Sequence, residues 1–151
     1  MGEGWWFKDR QNRWPYTLRR LAFFADCSPD QLETVGRFLT AVTIQPGTTV
    51  MREQTYGTEF VIIEDGLVGV HQGRDFEARL LSVLGSGDFV GEIALLERTP
   101  RSATVTALTE VRAFVSTPSE FRGLLAWAPS LEEKVVEADL ARCAANLLGA
   151  A

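Results

Sequence analysis

Gly85-Ser86-Gly87-Asp88-Phe89-Val90-Gly91-Glu92-Ile93-Ala94-Leu95-Leu96, closed by Pro100-Arg101-Ser102-Ala103-Thr104-Val105, interrupts an otherwise regular succession of strand-like runs. Its glycines at 85, 87 and 91 permit tight backbone paths that other residues disfavour. From Gly91 to Leu96 the chain suits a turn or two of helix, and the start of a short helix presents free N–H groups that suit a phosphate. Glu92 and Arg101 flank that turn. A carboxylate accepts hydrogen bonds from hydroxyls such as those of a ribose, and a guanidinium meets two phosphate oxygens at once. Outside such a frame the same two residues would be a surface pair of small energetic value.

On both sides of the stretch the chain reads as β structure. Thr48–Glu53, Thr58–Glu64, Leu67–Gln72, Phe76–Leu84, Ala103–Thr109 and Val111–Thr117 are short runs rich in Val, Ile, Leu and Thr. Pro46-Gly47, Tyr56-Gly57, Asp65-Gly66 and Gln72-Gly73 punctuate them, a spacing that predicts a sandwich or barrel. The ends read as helix. Ser28-Pro29-Asp30-Gln31 joins an N-cap, a first-turn proline and a capping-box glutamine, with Leu32, Val35, Phe38 and Leu39 following at helical spacing. Thr117-Pro118-Ser119-Glu120 repeats the signal, and Ser130-Leu131-Glu132-Glu133 opens an amphipathic run through Leu148. Helices at both ends of a strand core make an α+β plan.

The bulk properties narrow the function. A chain of 151 residues reads as one domain, with 46% hydrophobic and 23% charged residues as in ordinary globular proteins. The net charge of −5 speaks against a general nucleic-acid binder. Cys27 and Cys143 have no metal-type spacing and read as reduced thiols. With neither an apolar span nor a secretory signal in the sequence, the expected location is cytoplasmic. Residues 1–17 form a basic, aromatic arm (Trp5, Trp6, Phe7, Lys8, Arg10, Arg13, Trp14) ahead of a domain spanning 18–148. The arm suits packing on the domain, docking on a partner protein, or an anionic membrane surface.

The stretch quoted above closely resembles the phosphate-binding cassette of cyclic-nucleotide-binding domains, a family that includes bacterial catabolite activators, kinase regulatory subunits and nucleotide-gated channels. Pro46-Gly47, Phe60-Val61-Ile62-Ile63-Glu64-Asp65-Gly66 and Leu84-Gly85-Ser86-Gly87-Asp88 resemble the family's frame, and the likeness runs from about Leu18 to Leu148. The resemblance implies an eight-stranded antiparallel β-roll, a double-stranded jelly roll, flanked by N-terminal helices and a C-terminal helix pair. It implies that Glu92 accepts the ribose 2′-hydroxyl and that Arg101 pairs with the cyclic phosphate. Backbone N–H groups of Gly91, Ile93 or Ala94 and of Ala103 would complete the shell, with the Ser102 hydroxyl in reach. Val70, Leu81, Phe89 and Val90 would wall an apolar base pocket, although Phe89 and Val90 equally suit a plain core. Trp127 would serve as a lid or pack at the helix junction.

The implied ligand is cAMP, or cGMP, with no metal. The implied role is a sensor rather than an enzyme, acting through a separate effector protein, with a homodimer through the C-terminal helix expected. A jelly-roll or cupin enzyme is the first rival, but His71 is the single histidine and has no evident catalytic or metal partner. A DNA-binding factor is the second rival; no helix-turn-helix follows Leu148 in the sequence. A subunit of a larger complex, with a vestigial pocket, is the third.

Overall fold

The capping signals place the first helices. In the computed structural model, which describes residues 7–8, 18, 21–56, 59–73, 78–91, 100–101 and 103–149, helix α1 spans Pro29–Val35. Ser28 Oγ accepts from Gln31 N at 3.2 Å, and Gln31 Oε1 accepts from Ser28 N at 2.9 Å. The helical spacing of Phe38 and Leu39 is not used as expected. A 3-10 turn runs over Gly36–Phe38, Leu39 is extended, and the chain enters a strand at Thr40. Gly36 is a poor helix former, and the β-branched residues of Thr40-Ala41-Val42-Thr43-Ile44 favour a strand.

Helix α2 (Pro118–Trp127) carries the second capping box, with Thr117 Oγ1 accepting from Glu120 N at 3.2 Å and Glu120 Oε1 accepting from Thr117 N at 3.0 Å. Helix α3 (Pro129–Gly149) starts ahead of the expected Ser130 cap. Ala128 closes α2 through its N–H to Leu124 O, and its own carbonyl accepts from Leu131 N. Ser130 is therefore inside the first turn of α3, and one residue separates the two helices.

Strands β1 (Phe7–Lys8), β2 (Thr40–Ile44), β3 (Thr49–Met51), β4 (Phe60–Asp65), β5 (Val68–Gln72), β6 (Arg79–Leu84), β7 (Phe89–Val90), β8 (Thr104–Ala107) and β9 (Val111–Ser116) form two antiparallel sheets. Their orders are β1-β2-β9-β4-β7 and β3-β8-β5-β6. The successive pairs β2/β3, β4/β5, β6/β7 and β8/β9 each put one strand in each sheet, which is the β-roll. β1 adds to it at an edge, Phe7 opposite Thr43 and Lys8 opposite Val42. β1, β2 and β7 were not anticipated from the sequence.

Alternation along the strands makes two cores. Val42, Ile44, Val61, Ile63, Val90, Val105, Ala113 and Val115 fill the space between the sheets. On the opposite face of the five-stranded sheet, Phe60, Ile62, Phe89 and Phe114 meet Phe23, Phe24, Leu32, Phe121, Leu124, Leu131 and Val135 of the helical layer. A strand such as Phe60-Val61-Ile62-Ile63 is apolar without interruption because both its faces are covered. Lys134 ties α3 to the N-terminal segment, donating to Phe23 O at 3.1 Å and pairing with Asp26 at 3.2 Å. No helix of the described residues is long and apolar enough to cross a membrane.

Candidate functional site

Two backbone devices bring the ends of the cassette together. On the entry side, Asp88 closes the turn before β7: its Oδ2 accepts from Gly85 N at 2.9 Å, and its N–H donates to Gly85 O at 3.0 Å. Gly87 N and Asp88 O then bond Ile63 O and Ile63 N, both at 2.8 Å, so the turn is registered against β4. β7 follows, Val90 opposite Val61 and Phe89 opposite Ile62, and delivers the chain to Gly91. On the exit side, Pro100 forms an isolated bridge with Tyr56. Arg101 N donates to Thr55 O at 2.6 Å, and Arg101 O accepts from Gln54 N at 2.9 Å.

Gly91 and Arg101 meet. Arg101 Nη1 donates to Gly91 O at 3.0 Å and Nη2 donates to Glu59 O at 2.8 Å, and the residue is only 6% exposed. The contact requires a glycine. Gly91 has φ +96°, and a Cβ there would stand 2.5 Å from Glu59 O, 2.7 Å from Arg101 Nη1 and 2.9 Å from Met51 Cε. Met51 belongs to the cluster between the sheets, so the guanidinium lies at the margin of the roll's interior. A guanidinium carries five N–H donors in a planar fork, a geometry that suits both carbonyl and phosphate oxygens.

The remaining site residues divide. Glu92, Ile93, Ala94 and Ser102 lie outside the described residues. Ala103 is half-buried in the bend before β8. Val70 is half-buried against the cluster between the sheets, which also holds Val90, so these two share a face with the roll's interior. Phe89 does not join them. It points to the helical layer, with ring centroids 4.9 Å from Phe23 and 5.5 Å from Phe60. Adjacent residues of a strand face opposite ways, so Phe89 and Val90 cannot both wall one pocket. Leu81 is the extra residue where Val70 faces Ser82 but His71 faces Leu80, a β-bulge on the edge strand β6. Trp127 ends α2 and is 59% exposed rather than packed at the junction.

His71 sits on the outward face of the four-stranded sheet, its Nε2 3.2 Å from Thr106 Oγ1. No cluster of metal-ligating side chains occurs among the described residues. Sequence reasoning marked a turn at Tyr56-Gly57 but missed that the Arg52–Tyr56 turn bonds to residue 101 through its backbone. Nothing in its side chains announces that role, because the bonds are made by main-chain atoms.

Residues 41–126 match the family model described as the cyclic nucleotide-binding domain. The chain belongs to that family. The cyclic nucleotide-binding domain here is 30% identical over 116 residues to the cAMP-dependent protein kinase regulatory subunit of Yarrowia lipolytica, covering 77% of this chain and 30% of that protein. It is 29% identical over 120 residues to a CRP-like cAMP-activated global transcriptional regulator of Mycobacterium tuberculosis, covering 79% of this chain and 54% of the regulator. Among solved structures, a cAMP-binding acyltransferase from Mycobacterium smegmatis superposes with a TM-score of 0.71 at 30% identity, over 87% of this chain and 41% of that one. The chain thus spans from about a third to about half the length of these relatives. The domain is shared by a kinase regulatory subunit, a transcriptional regulator and an acyltransferase.

Proposed function

We propose that this cyclic nucleotide-binding domain binds cAMP in preference to cGMP and acts as a cytoplasmic sensor through a separate effector protein, without catalysing a reaction. The observation that carries the reading is the buried Arg101, with its guanidinium held by Gly91 O and Glu59 O at the margin of the roll. Arg101 supplies the charge for the cyclic phosphate, and the N–H groups of Gly91, Ile93 or Ala94 and Ala103 complete the anion site. Glu92 takes the ribose 2′-hydroxyl, the Ser102 hydroxyl reaches the phosphate, and Val70 and Val90 offer apolar surface to the base. The names of the kinase subunit, the regulator and the acyltransferase all specify cAMP, which supports that choice of ligand.

The signal leaves through the helical layer. Trp127, exposed at the α2–α3 junction, would close over a bound base as a lid. Helix α3 buries Leu131 and Val135 against the domain while exposing Val136 and Leu140, an apolar side suited to a second copy of the chain. Of the basic arm at residues 1–17, Phe7 and Lys8 pair with β2 of the 18–148 domain, and the other residues of the arm lie outside the described residues.

Calorimetric titration with cAMP and with cGMP, followed by affinity capture with and without nucleotide, tests the proposal. The expected result is saturable cAMP binding tighter than cGMP binding, with a bound protein that changes with ligand. Absence of heat and of competition with either nucleotide would refute it.

A further inference from the structure

The exit from the cassette is not held by the sheet. β3 and β8 pair as far as Met51 and Val105, with a register shift between Thr49 and Met51. Beyond that point the strand ladder ends, and the chain at residue 101 is gripped instead by the Arg52–Tyr56 turn. Gln54 N donates to Arg101 O at 2.9 Å, and Arg101 N donates to Thr55 O at 2.6 Å. Both main-chain polar groups of the arginine are therefore taken by adjacent residues of one turn.

The turn is itself braced. Thr55 Oγ1 donates to Arg52 O at 2.6 Å, and Thr55 N donates to the same carbonyl at 3.3 Å. Glu53 N donates to Thr104 Oγ1 at 3.0 Å, while a Glu53 carboxylate oxygen accepts from Gly73 N at 3.0 Å, tying the turn to β8 and to the end of β5. Gln54 has φ +69°, and among the described residues it is the non-glycine residue with positive φ. That conformation is costly for a residue with a Cβ and persists only where the surroundings impose it. Here it turns the Gln54 N–H toward Arg101 O. The Gln54 and Thr55 side chains themselves are exposed.

We infer that Arg52–Tyr56 is a clamp, with Gln54 and Thr55 as positioning residues that set the guanidinium of Arg101 for its anion. The inference rests on the proposed role of Arg101 in binding the cyclic phosphate. A guanidinium fork is effective only when its plane and reach are fixed, since small misplacement loses the second of two parallel hydrogen bonds. The clamp acts on affinity through residue 101 and not by touching the nucleotide.

The test is calorimetric titration with cAMP, carried to millimolar nucleotide, of the wild-type chain, Thr55→Val, Thr55→Ser, Arg101→Ala and the Thr55→Val/Arg101→Ala double variant. Thermal unfolding without nucleotide is recorded in parallel. Thr55→Val is expected to weaken binding roughly threefold to tenfold, as for one lost hydrogen bond. Thr55→Ser should restore it, and Thr55→Val should change nothing further once Arg101 is alanine. Gln54→Gly, which accepts the positive φ, should keep wild-type affinity, whereas Gln54→Val should lose it. A merely structural turn would lower the melting temperature and leave affinity alone. That result, or equal losses from Thr55→Val with and without Arg101, would overturn the clamp. Wild-type affinity in Arg101→Ala alone would instead overturn the binding role on which the clamp rests.

Discussion

Gly91 and Arg101 are complementary in both directions: Arg101 Nη1 bonds Gly91 O at 3.0 Å, and the same nitrogen fills the space where a Gly91 side chain would begin, 2.7 Å from an ideal Cβ. Gly91→Ala should therefore fail twice. The positive φ costs on the order of 1–3 kcal/mol, and the methyl displaces the guanidinium. The expected outcome is a loss of stability of that order in denaturant unfolding, with cAMP affinity reduced at least about tenfold, the effect of roughly 1.4 kcal/mol. Unchanged affinity in a folded Gly91→Ala would contradict the contact.

Gly123 makes a different demand. It lies in α2, where a Cβ would stand 2.6 Å from Phe38 Cε1. Alanine is the better helix former by about 1 kcal/mol, but overpacking costs about 1–3 kcal/mol. The steric term should win, so Gly123→Ala is expected to be destabilising in urea unfolding. In a Phe38→Leu background the same change should become neutral or stabilising. Gly123 is thus a close-packing point between α2 and the 3-10 turn.

Ser116 is fully buried at the end of β9, and its Oγ finds no hydrogen-bond partner among the described residues. A buried polar group left unsatisfied costs about 1–3 kcal/mol. Ser116→Ala removes that cost and leaves only a small void, so equal or greater stability is expected in denaturant unfolding. A loss of more than about 1 kcal/mol would mean that the hydroxyl is satisfied after all.

Burial pushes the Cys27 thiol above its ordinary pKa, with the nearby Asp26 charge adding to this and Lys134 and a hydrogen bond with Ser130 opposing it. The sign follows by linkage: the folded state favours the protonated thiol, so this contribution is present below the free-thiol pKa and is lost as pH rises through the folded value. Alkylation of Cys27 by iodoacetamide, read by peptide mass spectrometry, should have a higher pH midpoint in the folded chain than in urea. Coincident profiles would contradict the burial effect.

Much of this was legible in the sequence because it is encoded locally. Ser28/Gln31 and Thr117/Glu120 announce two helices through reciprocal bonds spanning three residues, and the structure makes both. The glycine spacing at 85, 87 and 91 marks the cassette, and the alternation of Val61 and Ile63 against Phe60 and Ile62 follows once both faces of β4 are covered. What failed was set by tertiary context. Phe76–Leu84 read as one strand-like run, but the sequence does not say that β6 lies at a sheet edge, where Leu80 and Val83 are 60% and 48% exposed. Phe89 read equally as pocket and as core, and only its pairing with Ile62 assigns it to the helical side. The grip of the Arg52–Tyr56 turn on Arg101 was invisible because the bonded residues, Gln54 and Thr55, are 47 and 46 positions away and bond through the main chain.

The central claim is that Arg101 supplies the charge that holds a cyclic phosphate, and calorimetric titration of cAMP into the wild-type chain and into Arg101→Ala tests it most directly. The expected loss on truncation is about 2–5 kcal/mol, roughly thirty- to several-thousand-fold in Kd, with the variant still folded by circular dichroism. Equal cAMP affinity in the two proteins would contradict the account.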